Sequence, residues 1–87
     1  MKESTCFHIG AGGTHVVKSK RGILNLITIN TTANGAITVY DGTDDTGKVL
    51  ATIKASIAEQ TLMYGVRFLN GLTIKTAANS DISVCFE

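Results

Sequence analysis

Two cysteines and two histidines are the residues of this chain that could bind a transition metal. Cys6 and His8 lie two positions apart on one face of a strand-like run, and His15 follows a glycine-rich turn. Cys85 could add a fourth ligand if the first and last runs of the chain pair. Zinc needs three or four protein ligands, and this spacing matches no zinc motif. We therefore favour histidines without a metal and predict that no cofactor is bound.

An acidic stretch, Asp41-Gly42-Thr43-Asp44-Asp45, could gather oxygen atoms around calcium. An EF-hand loop that begins at Asp41 would need a bidentate glutamate eleven positions later, where Thr52 stands. Aspartate and glycine are also common turn residues, because they bond their own backbone or tolerate unusual dihedrals. We therefore interpret this stretch as a plain turn.

The spacing of the side chains does not indicate a catalytic site. No serine, histidine and acid stand in a recognisable local motif. Asp44, Asp45, Glu59 and Asp81 could meet in space, but their spacing gives no argument for a carboxylate pair. The glycine-rich segment 10–14 resembles a phosphate-binding loop, yet a strand follows it where such loops need a helix N-terminus, so we interpret it as a hairpin turn. We predict that the protein is not an enzyme.

The elements that must position these residues are β-strands, because apolar and polar residues alternate with period two from end to end. Turn residues recur every 8–12 positions or so, which is typical of a sandwich, jelly roll or barrel. The predicted strands span 5–9, 14–20, 23–31, 36–40, 49–55, 62–68, 72–76 and 82–86. Asn34-Gly35 is the strongest hairpin signal. We predict an all-β chain that forms one β-sandwich or jelly-roll-like domain over residues 1–87, with about eight short antiparallel strands.

The alternation divides the apolar residues into a core set and an outer set. The predicted core consists of Phe7, Ile27, Ile29, Ile37, Val39, Ile53, Leu62, Tyr64, Val66, Phe68, Ile74, Val84 and Phe86. Four apolar residues fall on the opposite faces of their strands, and we predict that they contact partner subunits: Leu24, Leu26, Tyr40 and Met63.

Length and composition favour self-association. A chain of 87 residues buries a small core, and 44% of its residues are hydrophobic, so part of the apolar surface could face another subunit. The net charge is +1, and Lys18, Lys20 and Arg21 form the one basic cluster. Nucleic-acid binders normally carry a basic stripe with interleaved aromatic residues, so we predict no nucleic-acid partner.

The ends of the chain bear on where the protein is made. The first residues lack the apolar core of a signal peptide, and no run approaches the roughly 20 apolar residues that span a bilayer. We therefore expect synthesis in a cytoplasm and no membrane partner. Because cytoplasmic thiols stay reduced, we predict that Cys6 and Cys85 are packed free thiols.

The segment GILNLITINTT at 22–32, followed by GAITVYD at 35–41 and ATIKA at 51–55, resembles small proteins encoded among the virion genes of tailed bacteriophages and prophages. The hairpin residues GLTI at 71–74 and DISV at 81–84 also fit that group, so the resemblance covers residues 14–87. It implies a β-sandwich virion component without catalytic residues. The first strand, with Cys6 and His8, has no counterpart in the pattern.

The resemblance implies that the protein is made in the host bacterial cytoplasm and works in the virion. We expect a decoration or cement protein that stabilises the capsid shell, as a homotrimer bound to the major capsid protein or another virion protein. The alternative is a tail-fibre or head-fibre module that recognises a host-surface glycan or protein. Tyr40, Asp41 and the loop 43–47 would then form the contact surface, because sugar sites combine an aromatic platform with polar groups.

Overall fold

Alternating inward and outward side chains build two sheets that share one core. The computed structural model describes residues 5–31 and 33–87. In these residues the chain forms eight strands and no helix. The strands are β1 (Thr5–Ile9), β2 (Gly13–Lys18), β3 (Gly22–Thr31), β4 (Ile37–Asp41), β5 (Lys48–Ile53), β6 (Thr61–Phe68), β7 (Leu72–Thr76) and β8 (Asp81–Phe86). This confirms the all-β prediction.

The strands are divided between two four-stranded antiparallel sheets. Sheet I has the order β1-β8-β3-β6, and sheet II has the order β2-β7-β4-β5. Strands β1 with β8, β2 with β7, β3 with β6 and β4 with β5 are paired as nested hairpins. This is the strand order of a jelly roll.

The core lies between the two sheets. Its buried side chains are Ile9, Leu24, Ile27, Ile29, Ile37, Val39, Ile53, Phe68, Leu72, Ile74, Ile82, Val84 and Phe86. Every predicted core residue on β3, β4, β5, β7 and β8 is among them. Leu62 and Tyr64 on β6 are partly buried against this core. The prediction of a buried Phe7 is wrong: β1 is an edge strand, and the Phe7 side chain stays 38% exposed at the rim.

The Asn34-Gly35 segment does not form the predicted hairpin. Strands β3 and β4 lie in different sheets, so the segment crosses from one sheet to the other. A Cβ atom on Gly35 would come within 2.7 Å of both the backbone nitrogen and the Cβ of Ala78. Glycine is therefore needed for close approach to the β7–β8 connection. The one hairpin between consecutive strands of a sheet is β4–β5, across the turn at 42–47.

Leu24 belongs to the core because of a register slip. Simple alternation predicts that Leu24 and Leu26 share the outer face of β3. The pairing of β3 with both β6 and β8 shifts by one residue between these two positions. Such a bulge inverts the alternation. Leu24 therefore points inward and is fully buried, so its predicted place on an outer, partner-facing surface is wrong.

Bulges also shape the edges of both sheets. The register shifts on β2 between Val16 and Lys18, on β5 opposite Val39 and Tyr40, and on β6 around Gly65. Bulges twist an edge strand and so discourage pairing with foreign strands. Three of the four edge strands thus carry a bulge. Because the chain has no proline, which protects edge strands in other proteins, the bulges serve this purpose.

The fourth edge strand, β1, is held by a disulfide. Cys6 and Cys85 stand directly opposite each other where β1 pairs with β8, and they form a disulfide with Cα atoms 4.0 Å apart. The prediction of two free thiols is therefore wrong. That prediction relied only on the expected compartment. The sequence does not reveal that the first and last strands are neighbours.

Replacing Gly65 with alanine should lower the free energy of unfolding by about 1–2 kcal/mol, the cost of a left-handed backbone for a residue with a Cβ. Gly65 has φ of +65°, and a Cβ there would meet no atom within 4 Å, so the cost comes from the backbone alone. Gly65→Asn should lose less, because asparagine tolerates this region. Denaturant unfolding measures both, and an alanine variant as stable as the wild type would refute the assignment.

Reducing the disulfide should lower the free energy of unfolding by about 2–4.5 kcal/mol, because the bond joins residues 79 positions apart and restricts the unfolded chain. Denaturant unfolding with and without a reductant measures this loss. In the matched control, Cys6→Ser with Cys85→Ser, the reductant should change nothing, and stability should equal that of the reduced wild type. Equal midpoints for oxidised and reduced wild type would contradict the disulfide.

Candidate functional site on the outer faces of the sheets

An apolar row crosses the outer face of sheet I. The register places Cys6 beside Cys85, Cys85 beside Leu26 and Leu26 beside Met63, so the row spans all four strands. Met63 is 73% exposed, and Leu26 is half-buried. Directly opposed residues on one sheet face touch, so these side chains form one continuous strip. We call it the sheet I row.

A polar network lies beside this row, on the same outer face. His8 Nε2 donates a hydrogen bond of 2.7 Å to Asp81 Oδ1, and Asn30 Nδ2 donates to the same oxygen at 3.1 Å. Asn30 Nδ2 also donates to Ser83 Oγ at 3.1 Å. These bonds tie β1, β8 and β3 together across the surface. The His8 and Asn30 bonds lower the pKa of the Asp81 carboxyl below its usual 3.8.

A second apolar row crosses the outer face of sheet II. Here the register aligns Val16, Thr73, Tyr40 and Val49. Val16 and Val49, on the two edge strands, are 47% and 51% exposed, and Tyr40 is half-buried. Thr73 is covered, and its hydroxyl donates to the Gly42 carbonyl oxygen at 2.7 Å. We call these four residues the sheet II row.

The β4–β5 loop, residues 42–47, folds over this outer face of sheet II. Asp45 Oδ2 accepts a hydrogen bond of 3.2 Å from Lys75 Nζ, which anchors the loop to β7. Asp44 Oδ1 accepts from both the backbone nitrogen and the hydroxyl of Thr46. These bonds lower the pKa of the Asp44 carboxyl, so it is charged at neutral pH. The loop therefore presents negative charge next to the sheet II row.

A basic groove of about 580 Å³ opens at the same end of the sandwich, on the side of sheet I. Three basic residues, Lys18, Arg21 and Arg67, line it together with the acidic Glu87, and Ile23 and Leu69 form apolar walls. Lys18 Nζ donates to the backbone carbonyl of Glu87 at 3.0 Å, which fixes its position. Leu69 is 64% exposed. The groove thus combines positive charge with an apolar wall.

The predicted partner-facing residues are divided between the two outer faces. Leu26 and Met63 are neighbours in the sheet I row, whereas Tyr40 lies on the opposite side of the molecule in the sheet II row. Sequence reasoning missed Val16 and Val49. Each lies next to a register shift that inverts the alternation of its strand, and the sequence did not show that β2 and β5 are the two edges of one sheet.

Asp41, which the sequence placed on a predicted glycan-binding surface, does not lie on the surface. Asp41 is buried, and its carboxylate accepts hydrogen bonds from the backbone nitrogens of Leu69 and Asn70 at 2.8–3.1 Å. These donors begin the β6–β7 connection, so Asp41 holds two loops together. It is not available to a ligand. Tyr40 and the loop 43–47 remain on the surface.

The candidate metal ligands are not assembled. Strands β1 and β2 lie in different sheets, so His8 and His15 do not face each other across a hairpin. His15 Nε2 lies 2.9 Å from the Ala11 carbonyl oxygen, and both sulfur atoms are used by the disulfide. Among the residues that the structure describes, no three of His, Cys, Asp and Glu are grouped to hold a metal ion. Asp41, Asp44 and Asp45 likewise bond to three different partners.

Comparison with known proteins finds a likeness in fold to a solved structure. No protein-family model matches the sequence, and no curated protein matches it. A solved structure of the Drosophila NLP core is similar with a TM-score of 0.63, at 14% sequence identity, over 99% of this chain and 98% of that chain. That structure is described as giving insight into pentamer formation and histone binding.

At this identity the likeness shows the fold alone. It extends over the whole chain, and the similar protein forms a pentamer. The fold found here is therefore compatible with assembly into an oligomer. In the described part of the chain, no helix is long and apolar enough to cross a membrane.

Replacing Asp81 with asparagine should make the free energy of unfolding depend less on pH under acidic conditions. A carboxyl whose pKa is lower in the folded state adds stability above its unfolded pKa, and this is lost as the pH falls through the folded value. The wild type should therefore lose more stability than Asp81→Asn as the pH falls below 3.8. Denaturant midpoints over a pH series measure the difference. Asn30→Ala, which removes one donor, should be intermediate; parallel wild-type and Asp81→Asn profiles would contradict the network.

Proposed function

We propose that this chain is a non-enzymatic structural protein of a tailed-phage virion, which assembles with copies of itself and decorates the capsid shell. The observation that carries the proposal is a mainly apolar row on each outer face. Met63 is exposed on sheet I, and Val16 and Val49 are exposed at the two edges of sheet II, with the covered Thr73 between them. Water-exposed apolar strips of this kind favour association, because burial removes them from water. The resemblance of segments 22–32, 35–41 and 51–55 to phage virion proteins supports a role in the virion.

The placement of the two rows favours a ring. The rows lie on opposite sides of a molecule whose Cα trace measures 30 × 29 × 17 Å. A contact between two identical rows would cover one of them and leave the other in water. A contact between the sheet I row of one copy and the sheet II row of the next covers both. Such head-to-tail contacts generate a closed ring where the rotation between neighbours closes and an open filament where it does not. We propose that the rotation closes as a trimer.

The disulfide supports a location in the virion. Disulfides persist in oxidising environments, which include virion surfaces, and they are rare in proteins that work in a cytoplasm. Cys6 is exposed, so the bond can form after release from the cell. A chain made with reduced thiols would thus acquire its link between β1 and β8 on the finished particle.

Decoration would stabilise the shell by mass action. A protein that binds assembled shell but not free subunits adds RT ln(1 + [L]/Kd) per site, about 2.7 kcal/mol at a hundredfold excess over Kd. A ring contributes several such contacts at once, which raises its effective affinity for a symmetric surface. No group on this chain has to react for this function.

The histone binding ascribed to the Drosophila structure is not part of the proposal. This chain has 7 acidic and 8 basic residues, which gives a net charge of +1. A partner as basic as a histone would gain no attraction from that overall charge. The likeness in fold therefore supports self-assembly of this chain and does not support histone binding.

Met63→Lys should weaken self-association, because it places a charge in the sheet I row and removes the burial of a methionine, about 1.5–3 kcal/mol per contact. Ala58→Lys is the matched control: Ala58 is exposed in the β5–β6 connection, outside both rows, and the substitution adds the same charge. Light scattering behind a sizing column measures the mass. Wild-type mass for Met63→Lys would overturn the proposed interface.

The sheet II row allows the same comparison, with Val49→Lys measured against the same Ala58→Lys control. Mixing then tests the head-to-tail arrangement. Met63→Lys keeps an intact sheet II row, and Val49→Lys keeps an intact sheet I row, so a mixture should form one contact and stop at a dimer. A mixture that stays monomeric would contradict the pairing of unlike rows.

Copy number on the particle separates decoration from the fibre alternative. Quantitative mass spectrometry of purified virions should find this chain in numbers comparable to the capsid protein. A few copies per particle would instead favour a fibre module, with Tyr40 and the β4–β5 loop as its contact surface. Absence from the particle would refute the proposed function.

A further inference from the structure

Two basic residues of the groove form no ion pair with any described residue. Among the described residues, neither Arg21 nor Arg67 forms an ion pair, because the salt bridges there are His8 with Asp81 and Lys75 with Asp45. Arginine presents several donors in a planar fork that suits carboxylates. Lys18 is fixed on the Glu87 carbonyl, and the three basic residues outnumber the one acidic lining residue, Glu87. The groove is therefore net positive beside the exposed Leu69.

The acidic β4–β5 loop lies at the same end of the sandwich but on the other side. Gly42 donates its backbone N–H to the Gly71 carbonyl at 3.0 Å. A Cβ on Gly71 would lie within 2.9 Å of the backbone oxygens of both Gly42 and Lys18. The loops β2–β3, β4–β5 and β6–β7 are therefore packed together at this end. Asp44 and Asp45 project over sheet II, and the groove faces the side of sheet I.

Both outer faces carry three kinds of surface along the strand direction, and the kinds follow in a corresponding order from the groove end. On sheet I the order is the basic groove, the apolar sheet I row, and the polar row that contains Thr28 and Thr61. On sheet II the acidic loop comes first and the apolar sheet II row second. The third row contains Thr38, Thr52 and Lys75, and Asp45 of the loop accepts a hydrogen bond from this Lys75. Stacking unlike faces with the same end up therefore opposes cations to carboxylates, apolar to apolar and polar to polar.

We infer that the basic groove receives the acidic β4–β5 loop of a second copy of this chain. The inference rests on the proposed self-assembly and adds the contact that sets its direction. Complementary charges at an interface fix register and orientation and suppress wrong partners. Here Arg67 and Arg21 would pair with Asp44 of the neighbour and with its Asp45, whose carboxylate would then be shared with Lys75 of its own chain. Every copy in a ring would have the groove end on the same side.

Charge reversal tests this contact in the full chain. Arg67→Glu and Asp45→Arg should each weaken self-association at least about tenfold at low salt, because each replaces attraction with repulsion at every interface. Arg67→Glu with Asp45→Arg in one chain restores opposite charges, and its assembly should return to near the wild-type level. Arg21→Glu is a second groove variant. Sedimentation equilibrium gives the dissociation constants, and circular dichroism confirms folding.

Matched controls separate this contact from a general effect of charge. Lys54→Glu and Glu59→Lys change the net charge equally but lie at the opposite end of the sandwich, in the β5–β6 connection, and both should assemble like the wild type. The differences should shrink in high salt, because screening weakens charge pairs.

Two outcomes would overturn the inference, and they are distinguishable. If the wild type assembles and the groove and loop variants assemble equally well, the groove does not bind the loop, while the proposed self-assembly stands. If the double variant stays as weak as the single ones, the two charges do not meet across the interface. A wild type that is monomeric at every concentration would refute the proposed function itself.

Discussion

Each sheet has only one sheet to pack against inside this chain. Among the described residues, this constraint leaves the outer faces of the sheets without a covering layer, apart from the β4–β5 loop at Thr73. Residues on the inner faces, such as Ile27 on β3 and Ile74 on β7, are fully buried in one core. The outer faces must then be either polar or covered by something else. They are polar in part, through the His8–Asp81 network, and apolar in two rows. The proposed function follows from the rows, because nothing in the described chain covers Met63 or Val49.

Local patterning predicted the strands well and failed where pairing is non-local. Alternation was sufficient to place Ile37 and Val39 in the core of β4 and Met63 on the outer face of β6. It could not show the slip between Leu24 and Leu26, because a bulge depends on which strand lies opposite. The same limit applies to Asn34-Gly35, which has hairpin chemistry but serves as a crossing between sheets.

The candidate site depends almost wholly on such long-range relations. Cys6 and Cys85 become a disulfide because β1 and β8 are neighbours, although they are the first and last strands. Val16 and Val49 become the two ends of one row because β2 and β5 are the edges of sheet II. Composition favoured self-association, but only the strand order shows that the apolar strips lie on opposite faces and that opposite charges flank them.

The central claim is that the two outer faces complement each other and close a ring. The most direct test is the absolute molar mass of the oxidised wild-type chain, measured by light scattering over a wide range of concentrations. The account predicts one small whole-number multiple of 9.2 kDa that resists dilution. A monomer at every concentration would contradict it, and so would a mass that grows steadily with concentration, because that is the behaviour of an open filament.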